Sequence, residues 1–116
     1  MPLGSIVEAP EFIQRAQRIM TAEQLDELLF FLARHPAAGD IIPGSGGVRK
    51  LRWQAEGRGK RGRSRIIDYF HDLSMPLMRF TVYAKNEKAD LSARERREMR
   101  ELVQRIVKQF KPEKRG

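Results

Sequence analysis

The sequence has no cysteine and no long apolar run, and each absence narrows the class of protein. Without cysteine, disulfides and cysteine-based zinc sites are excluded, and a reducing cytoplasm is a compatible compartment. The longest apolar run, residues 28–33, is far shorter than the roughly 20 residues of a membrane-spanning helix. Residues 1–12 lack the basic start and apolar segment of a signal peptide. We therefore expect a cytoplasmic protein without a membrane partner.

Length and composition favour one globular domain. The chain has 116 residues, of which 41% are hydrophobic, enough for one core. We expect a single domain over residues 1–116, in which residues 1–5 resemble a cloning remnant and residues 111–116 form a polar tail. The sequence shows no cluster of metal ligands, and no cofactor is predicted.

Acidic residues are almost absent from residues 48–65. This stretch holds eight Lys and Arg residues and one acid, Glu56, so its formal charge of +7 accounts for nearly all of the chain's +8. Charge concentrated in this way indicates a polyanionic partner.

Local signals predict the order β-α-α-β-β-β-α. Pro10 suits the first turn of a helix, and Thr21 and Ser92 each begin a capping box, which opens the second and last helices. The second helix is expected to end at His35, before a Pro- and Gly-rich loop over residues 36–47. Alternating apolar residues predict strands over residues 48–54, 63–71 and 77–84, with a short strand at residues 5–9.

These elements predict an α+β fold. A three-stranded meander and the N-terminal strand are expected to form an antiparallel sheet, with the helices on one face and the other face open.

The open face is where the chemistry is expected. Lys50 and Arg52 are two residues apart on one strand, so their side chains lie about 6.6 Å apart on the same side. If the strands pair in order, Arg65, Tyr83 and Lys85 converge with them. The glycine-rich loop over residues 55–62 presents further cations, and the predicted RNA-binding residues are Arg58, Lys60, Arg61 and Arg63.

Such a face suits RNA. Cations neutralise phosphates, and arginine can hold a phosphate through two hydrogen bonds. Cleavage needs a base to take the ribose 2′-OH proton and cations to stabilise the phosphorane. A basic strand face is, however, more often a binding face than a catalytic one, and Tyr83 can equally be a packing residue.

Three segments together, residues 39–50, 59–70 and 83–92, resemble the RelE/ParE superfamily of bacterial toxins, in its HigB-like branch. The resemblance implies a microbial-RNase-like fold and the toxin of a type II toxin–antitoxin system. It implies an endoribonuclease (mRNA interferase) that cuts mRNA on the ribosome without metal, through 2′-OH attack on the phosphodiester. The partners it implies are mRNA, the ribosome and a DNA-binding, HigA-like helix-turn-helix antitoxin, so DNA is contacted only through the antitoxin.

The resemblance also places the catalytic residues. Lys50 and Arg52 match the paired basic residues of the first meander strand. Arg65 matches the arginine that contacts the scissile phosphate. The basic motif after the last strand is matched by Lys85, Asn86 and Glu87. Tyr83 is a further candidate, and the general acid and base stay unassigned. Two alternatives remain: a ParE-like gyrase inhibitor, and a non-catalytic RNA- or ribosome-binding module.

Overall fold

The computed structural model describes residues 6–54, 63–85, 87 and 90–110. Within these ranges, three helices and five strands follow in the order β1 (Ile6–Glu8), α1 (Pro10–Ile19), α2 (Ala22–Arg34), β2 (Asp40–Ile41), β3 (Arg49–Gln54), β4 (Arg63–Tyr69), β5 (Leu77–Ala84) and α3 (Ala93–Phe110). The α+β class is confirmed. The predicted glycine-rich loop and polar tail lie outside the described residues.

The strands form one mixed sheet in the order β1-β5-β4-β3-β2. The predicted meander is confirmed, because β3, β4 and β5 pair antiparallel in chain order. The prediction of a fully antiparallel sheet is wrong, since β1 runs parallel to β5, with Val7 opposite Met78. A three-residue strand carries no local signal for its partner, and here the paired residues Val7 and Met78 are 71 positions apart in the sequence.

The helix ends follow their predicted local signals. Pro10 occupies the first turn of α1. Both hydrogen bonds of the α2 capping box form: the Gln24 N–H donates to Thr21 Oγ1, and the Thr21 N–H donates to Gln24 Oε1. Ser92 and Glu95 form the same reciprocal pair before α3. Each box satisfies backbone N–H groups that the first helical turn leaves without partners.

The helices lie on both faces of the sheet, so the prediction that one face stays open is wrong. On the first face, Phe12 and Ala16 of α1 and Leu28 of α2 pack against Leu51 and Ile66. A second core cluster on the opposite face joins Val103 of α3 to Ile67 and Tyr83. The apolar stripe of α3 must be buried somewhere, and α1 and α2 already cover the first face.

The loop between α2 and β3 also differs from its prediction. It contains the two-residue strand β2, which pairs with β3 at one edge of the sheet. Ile42 packs against the second core cluster, whereas Ile41 is 55% exposed. Gly39 makes this pairing possible: its φ is +97°, and a Cβ there would lie 2.9 Å from the Lys50 carbonyl oxygen.

Candidate functional site

A row of register partners crosses the three strands β3, β4 and β5 toward one end of the sheet, beside α3. Arg52 on β3 lies opposite Arg65 on β4, which lies opposite Tyr83 on β5. Directly opposed residues share a face of the sheet, so these three side chains and Lys50 lie on the α3 side. The strand alternation predicted this arrangement for Lys50 and Arg52.

Basic side chains line a cleft of about 350 Å³ at one end of this row. We name it the Arg65 cleft, and its lining residues are Arg52, Trp53, Gln54, Arg63, Arg65 and Lys85. Four of these six are cationic, and no described residue in the lining is acidic. Guanidinium and ammonium groups crowded in this way can bind a phosphate and stabilise the additional charge of a phosphorane.

The turn that carries Lys85 is tied to β4 and to α1. The Lys85 N–H donates to the Arg63 carbonyl oxygen over 3.3 Å. The Glu87 carboxylate accepts a hydrogen bond from the Ala84 N–H at 2.9 Å. It also forms an ion pair with Arg15 at 2.7 Å. Arg15 also donates to the Val82 carbonyl oxygen at 2.8 Å. These contacts fix the backbone that presents Lys85 to the Arg65 cleft.

Lys50 does not line the Arg65 cleft. Its ammonium pairs with the Asp90 carboxylate, which lies just before α3. The Lys50 side chain is 18% exposed and that of Asp90 is 73% exposed. The hydrogen bond and charge of Lys50 lower the pKa of Asp90 below its usual 3.8.

This ion pair borders a second cleft, of about 250 Å³, between β2 and the start of α3. We name it the Asp40 cleft, and it is lined by Asp40, Ile41, Ile42, Pro43, Lys50, Arg52, Asp90, Leu91 and Arg96. Unlike the Arg65 cleft, it combines acidic, basic and apolar side chains. Arg52 lines both clefts, so the two are adjacent.

Tyr83 is a buried residue and not a surface phenol. Its side chain is fully buried in the second core cluster, together with Leu91 and Val103. Burial raises the pKa of Tyr83 above its usual 10.0, the negative charge of Asp90 adds to this, and Arg65 acts in the opposite direction. The packing alternative for Tyr83 is therefore favoured.

The structure brings together four of the residues predicted from the sequence, Arg52, Arg63, Arg65 and Lys85. Lys50 lies in the neighbouring cleft, and Tyr83 lies beneath the surface. Four predicted site residues lie outside the described part of the chain: Arg58, Lys60, Arg61 and Asn86.

Sequence reasoning missed the acids Asp40 and Asp90 and the cation Arg96. Asp90 offered one signal, because it lies just before the Ser92 capping box and hence at a helix start. Its pairing with Lys50, 40 positions earlier, carries no sequence signal.

A second charged cluster lies on the opposite face of the sheet. Arg79 is 3% exposed, pairs with Glu8 and lies 4.6 Å over the ring of Phe12. Asp68 is fully buried between its register partners Arg49 and Arg79, and neither carboxyl oxygen has a hydrogen-bond partner among the described residues. Burial raises the pKa of Asp68 to about 8, against the lowering effects of Arg49 and Arg79. The cluster lines neither cleft.

Three further findings bear on function. Across the described ranges, no group of three or more His, Asp or Glu side chains is arranged to hold a metal ion. None of the helices described combines the length and apolarity needed to cross a bilayer. No protein-family model matches the chain.

Proposed function

We propose that this protein is an endoribonuclease that cleaves mRNA on the ribosome, and that it acts as the toxin of a type II toxin–antitoxin system. The observation that carries the proposal is the Arg65 cleft, in which Arg52, Arg63, Arg65 and Lys85 converge without a described acid. Like charges held this close repel one another, and a bound phosphate would offset that repulsion. The resemblance of residues 39–50, 59–70 and 83–92 to HigB-like toxins supports the same function.

In the proposed reaction, the RNA backbone enters the Arg65 cleft. Arg65 and Arg52 hold the scissile phosphate through charge-assisted hydrogen bonds, and Lys85 approaches from the turn after β5. The ribose 2′-OH loses its proton and attacks the adjacent phosphorus, the P–O bond to the 5′ oxygen breaks, and that oxygen gains a proton. The products are a 2′,3′-cyclic phosphate and a free 5′-OH. The cationic side chains stabilise the doubly charged phosphorane.

The partners proposed with this activity are mRNA, the ribosome and a cognate antitoxin of the HigA-like, helix-turn-helix type. The antitoxin would neutralise the toxin in the cytoplasm and bind the DNA of their operon.

The test is to express the chain in a bacterium and map mRNA 5′ ends at nucleotide resolution. We expect growth arrest, with new 5′-OH ends at positions that keep a constant relation to the reading frame. Arg65→Ala should abolish both, because it removes a hydrogen-bonding cation from the cleft. Arg105→Ala, an exposed residue of α3 that lines neither cleft, is the matched control. Full toxicity in Arg65→Ala would contradict the assignment.

The same experiment separates the alternatives. A ParE-like gyrase inhibitor would induce the SOS response and leave mRNA 5′ ends unchanged. A binding module would associate with RNA or ribosomes in a salt-dependent way and produce no cut ends.

A further inference from the structure

The Asp40 cleft has the properties of a small ligand site. Its volume of about 250 Å³ lies below the roughly 300–1,000 Å³ of pockets that enclose drug-sized ligands, so it suits a single ring system. Ile42, Pro43 and Leu91 contribute apolar walls, while polar groups come from Asp40, Arg52 and Arg96. Apolar walls with a few convergent polar groups are typical of sites that bind flat, partly polar molecules.

The walls of this cleft are held by local hydrogen bonds. The buried Ser45 hydroxyl donates to the Ile42 carbonyl oxygen at 2.6 Å and accepts from the Val48 N–H at 3.0 Å. Asp40 lies opposite Lys50 in the β2–β3 register. The cleft is therefore built on a fixed loop and two paired strands.

The two carboxylates of the cleft differ in their partners. Asp90 is engaged by Lys50, whereas the Asp40 side chain is exposed and makes no hydrogen bond or ion pair with any described residue. An ionised carboxylate accepts hydrogen bonds and cannot donate them, so Asp40 selects ligands with N–H donors. Arg52 and Arg96 select ligands with acceptors.

Guanine is the RNA base that matches this set. It carries adjacent N–H donors, which a carboxylate accepts in pairs, and the O6 and N7 acceptors that suit arginine. Adenine and cytosine each offer an amino donor, but neither presents an adjacent ring N–H in its neutral form. Unpaired RNA bases are commonly read along these edges.

We propose that the Asp40 cleft is a base-reading subsite that prefers guanine, and that Asp40 sets this preference. The inference rests on the proposed function in that the ligand is RNA. Because Arg52 lines both clefts, the subsite lies next to the Arg65 cleft, so the phosphate of a nucleotide can bind there while its base enters the Asp40 cleft.

The test is an NMR titration of the full chain with 3′-GMP, 3′-AMP, 3′-CMP and 3′-UMP. We expect 3′-GMP to bind about 5- to 100-fold more tightly than 3′-AMP, which is the discrimination of one good bidentate contact. Amide signals of Ile42 and Leu91 should shift with 3′-GMP and respond much less to 3′-UMP. Asp40→Asn should reduce the ratio of 3′-GMP to 3′-AMP affinity to about 2 or less.

Asp26→Asn is the matched control, because it makes the same chemical change at an exposed position of α2 that lines neither cleft. It should keep the wild-type ratio, and the ratio itself cancels the general gain in anion affinity from removing one negative charge. Equal binding of all four nucleotides, absence of binding, or an unchanged ratio in Asp40→Asn would each overturn the proposal. If Asp40 serves only to keep the exposed edge strand from pairing with other chains, the ratio should be unchanged in Asp40→Asn.

The subsite and the proposed function fail in different ways. If the chain prefers 3′-GMP but produces no cut mRNA, the subsite proposal stands and the nuclease proposal fails. If the chain cuts mRNA and the bases at the cut sites are the same in wild type and Asp40→Asn, the nuclease proposal stands and the subsite proposal fails.

Discussion

Arg49 and Lys50 are neighbours on β3, yet their side chains enter opposite environments. Arg49 faces the α1–α2 side, where its register partner is the buried Asp68 and its guanidinium donates to the Gly39 carbonyl oxygen at 3.3 Å. Lys50 faces the α3 side and pairs with Asp90, which is largely exposed. One sheet thus carries a buried charged cluster on one face and an accessible cationic site on the other.

The two faces differ in what holds their charges. On the buried side, Arg79 pairs with Glu8 and covers Phe12, so its charge is integrated into the core. On the accessible side, Arg52, Arg65 and Lys85 line a cleft without a described acid. We expect charges of the first kind to contribute to the stability of the fold, and charges of the second kind to contribute little to stability and to be available for a ligand.

The largest expected effect concerns the pH dependence of stability through Asp68. Its pKa of about 8 in the folded protein exceeds the ordinary 3.8, so the folded state retains a proton that the unfolded state loses. The contribution of Asp68 to the free energy of unfolding is fully present below about pH 4 and is lost as the pH rises toward 8. The free energy of unfolding falls over this range by up to about 1.4 kcal/mol per pH unit. Asp68→Asn should remove this slope, as measured by urea unfolding at several pH values.

Asp26→Asn is the control for this measurement, since it makes the same chemical change at an exposed position of α2. Wild type and Asp68→Asn should have similar free energies of unfolding near pH 4 and diverge as the pH rises. Parallel pH profiles would mean that Asp68 is ionised in the folded protein.

A second prediction compares arginines from the two faces. Arg79→Ala removes a buried cation, its ion pair with the partly exposed Glu8 and its contact with the Phe12 ring, and it should cost about 2 kcal/mol or more. Arg65→Ala should cost less than about 1 kcal/mol, because Arg65 is half-buried and belongs to no ion pair among the described residues. Chemical denaturation measures both, and equal losses would show that the cleft arginines are structural.

The elements with local signals were predictable from the sequence, and those with distant partners were not. Pro10 and the capping boxes at Thr21 and Ser92 act within four residues, so the helix starts could be predicted from local sequence motifs. The parallel partner of β1 and the side of the sheet that α3 covers depend on contacts far apart in sequence. The two-residue strand β2 is too short to show a periodicity.

The candidate site divides in the same way. Strand alternation placed Lys50 and Arg52 together, and hairpin pairing brought Arg65 beside Arg52. The burial of Tyr83 could not be predicted, because it results from α3 packing on a face that was expected to be open. Asp90 and Arg96 enter the site through the same packing, and Asp40 enters through β2.

A third prediction concerns the salt dependence of RNA binding. The logarithm of the affinity for single-stranded RNA should fall linearly with the logarithm of salt concentration, by about 0.7 for each phosphate contact. Arg63→Ala and Lys85→Ala should each reduce this slope by about 0.7. Arg49→Ala, on the opposite face, should leave the slope unchanged even if it lowers stability. Fluorescence anisotropy measures the slope, and an equal effect of Arg49→Ala would contradict the division between the two faces.

The smallest effect is expected where an ion pair lies at the surface. Asp90→Asn should cost so little stability that about 1 M salt, which screens exposed charges, abolishes the difference from wild type. Glu8→Gln removes the charge that partners the buried Arg79, so its cost in stability should persist in the same salt.

Lys50→Ala should return the pKa of Asp90 toward its ordinary 3.8, as followed by NMR titration of the carboxyl carbon. Because the folded pKa is depressed, any contribution of this pair is present at neutral pH and is lost as the pH falls below about 4. A salt-resistant cost for Asp90→Asn would place the Lys50–Asp90 pair with the structural charges and leave the Arg65 cleft as the part of this face that is free for a ligand.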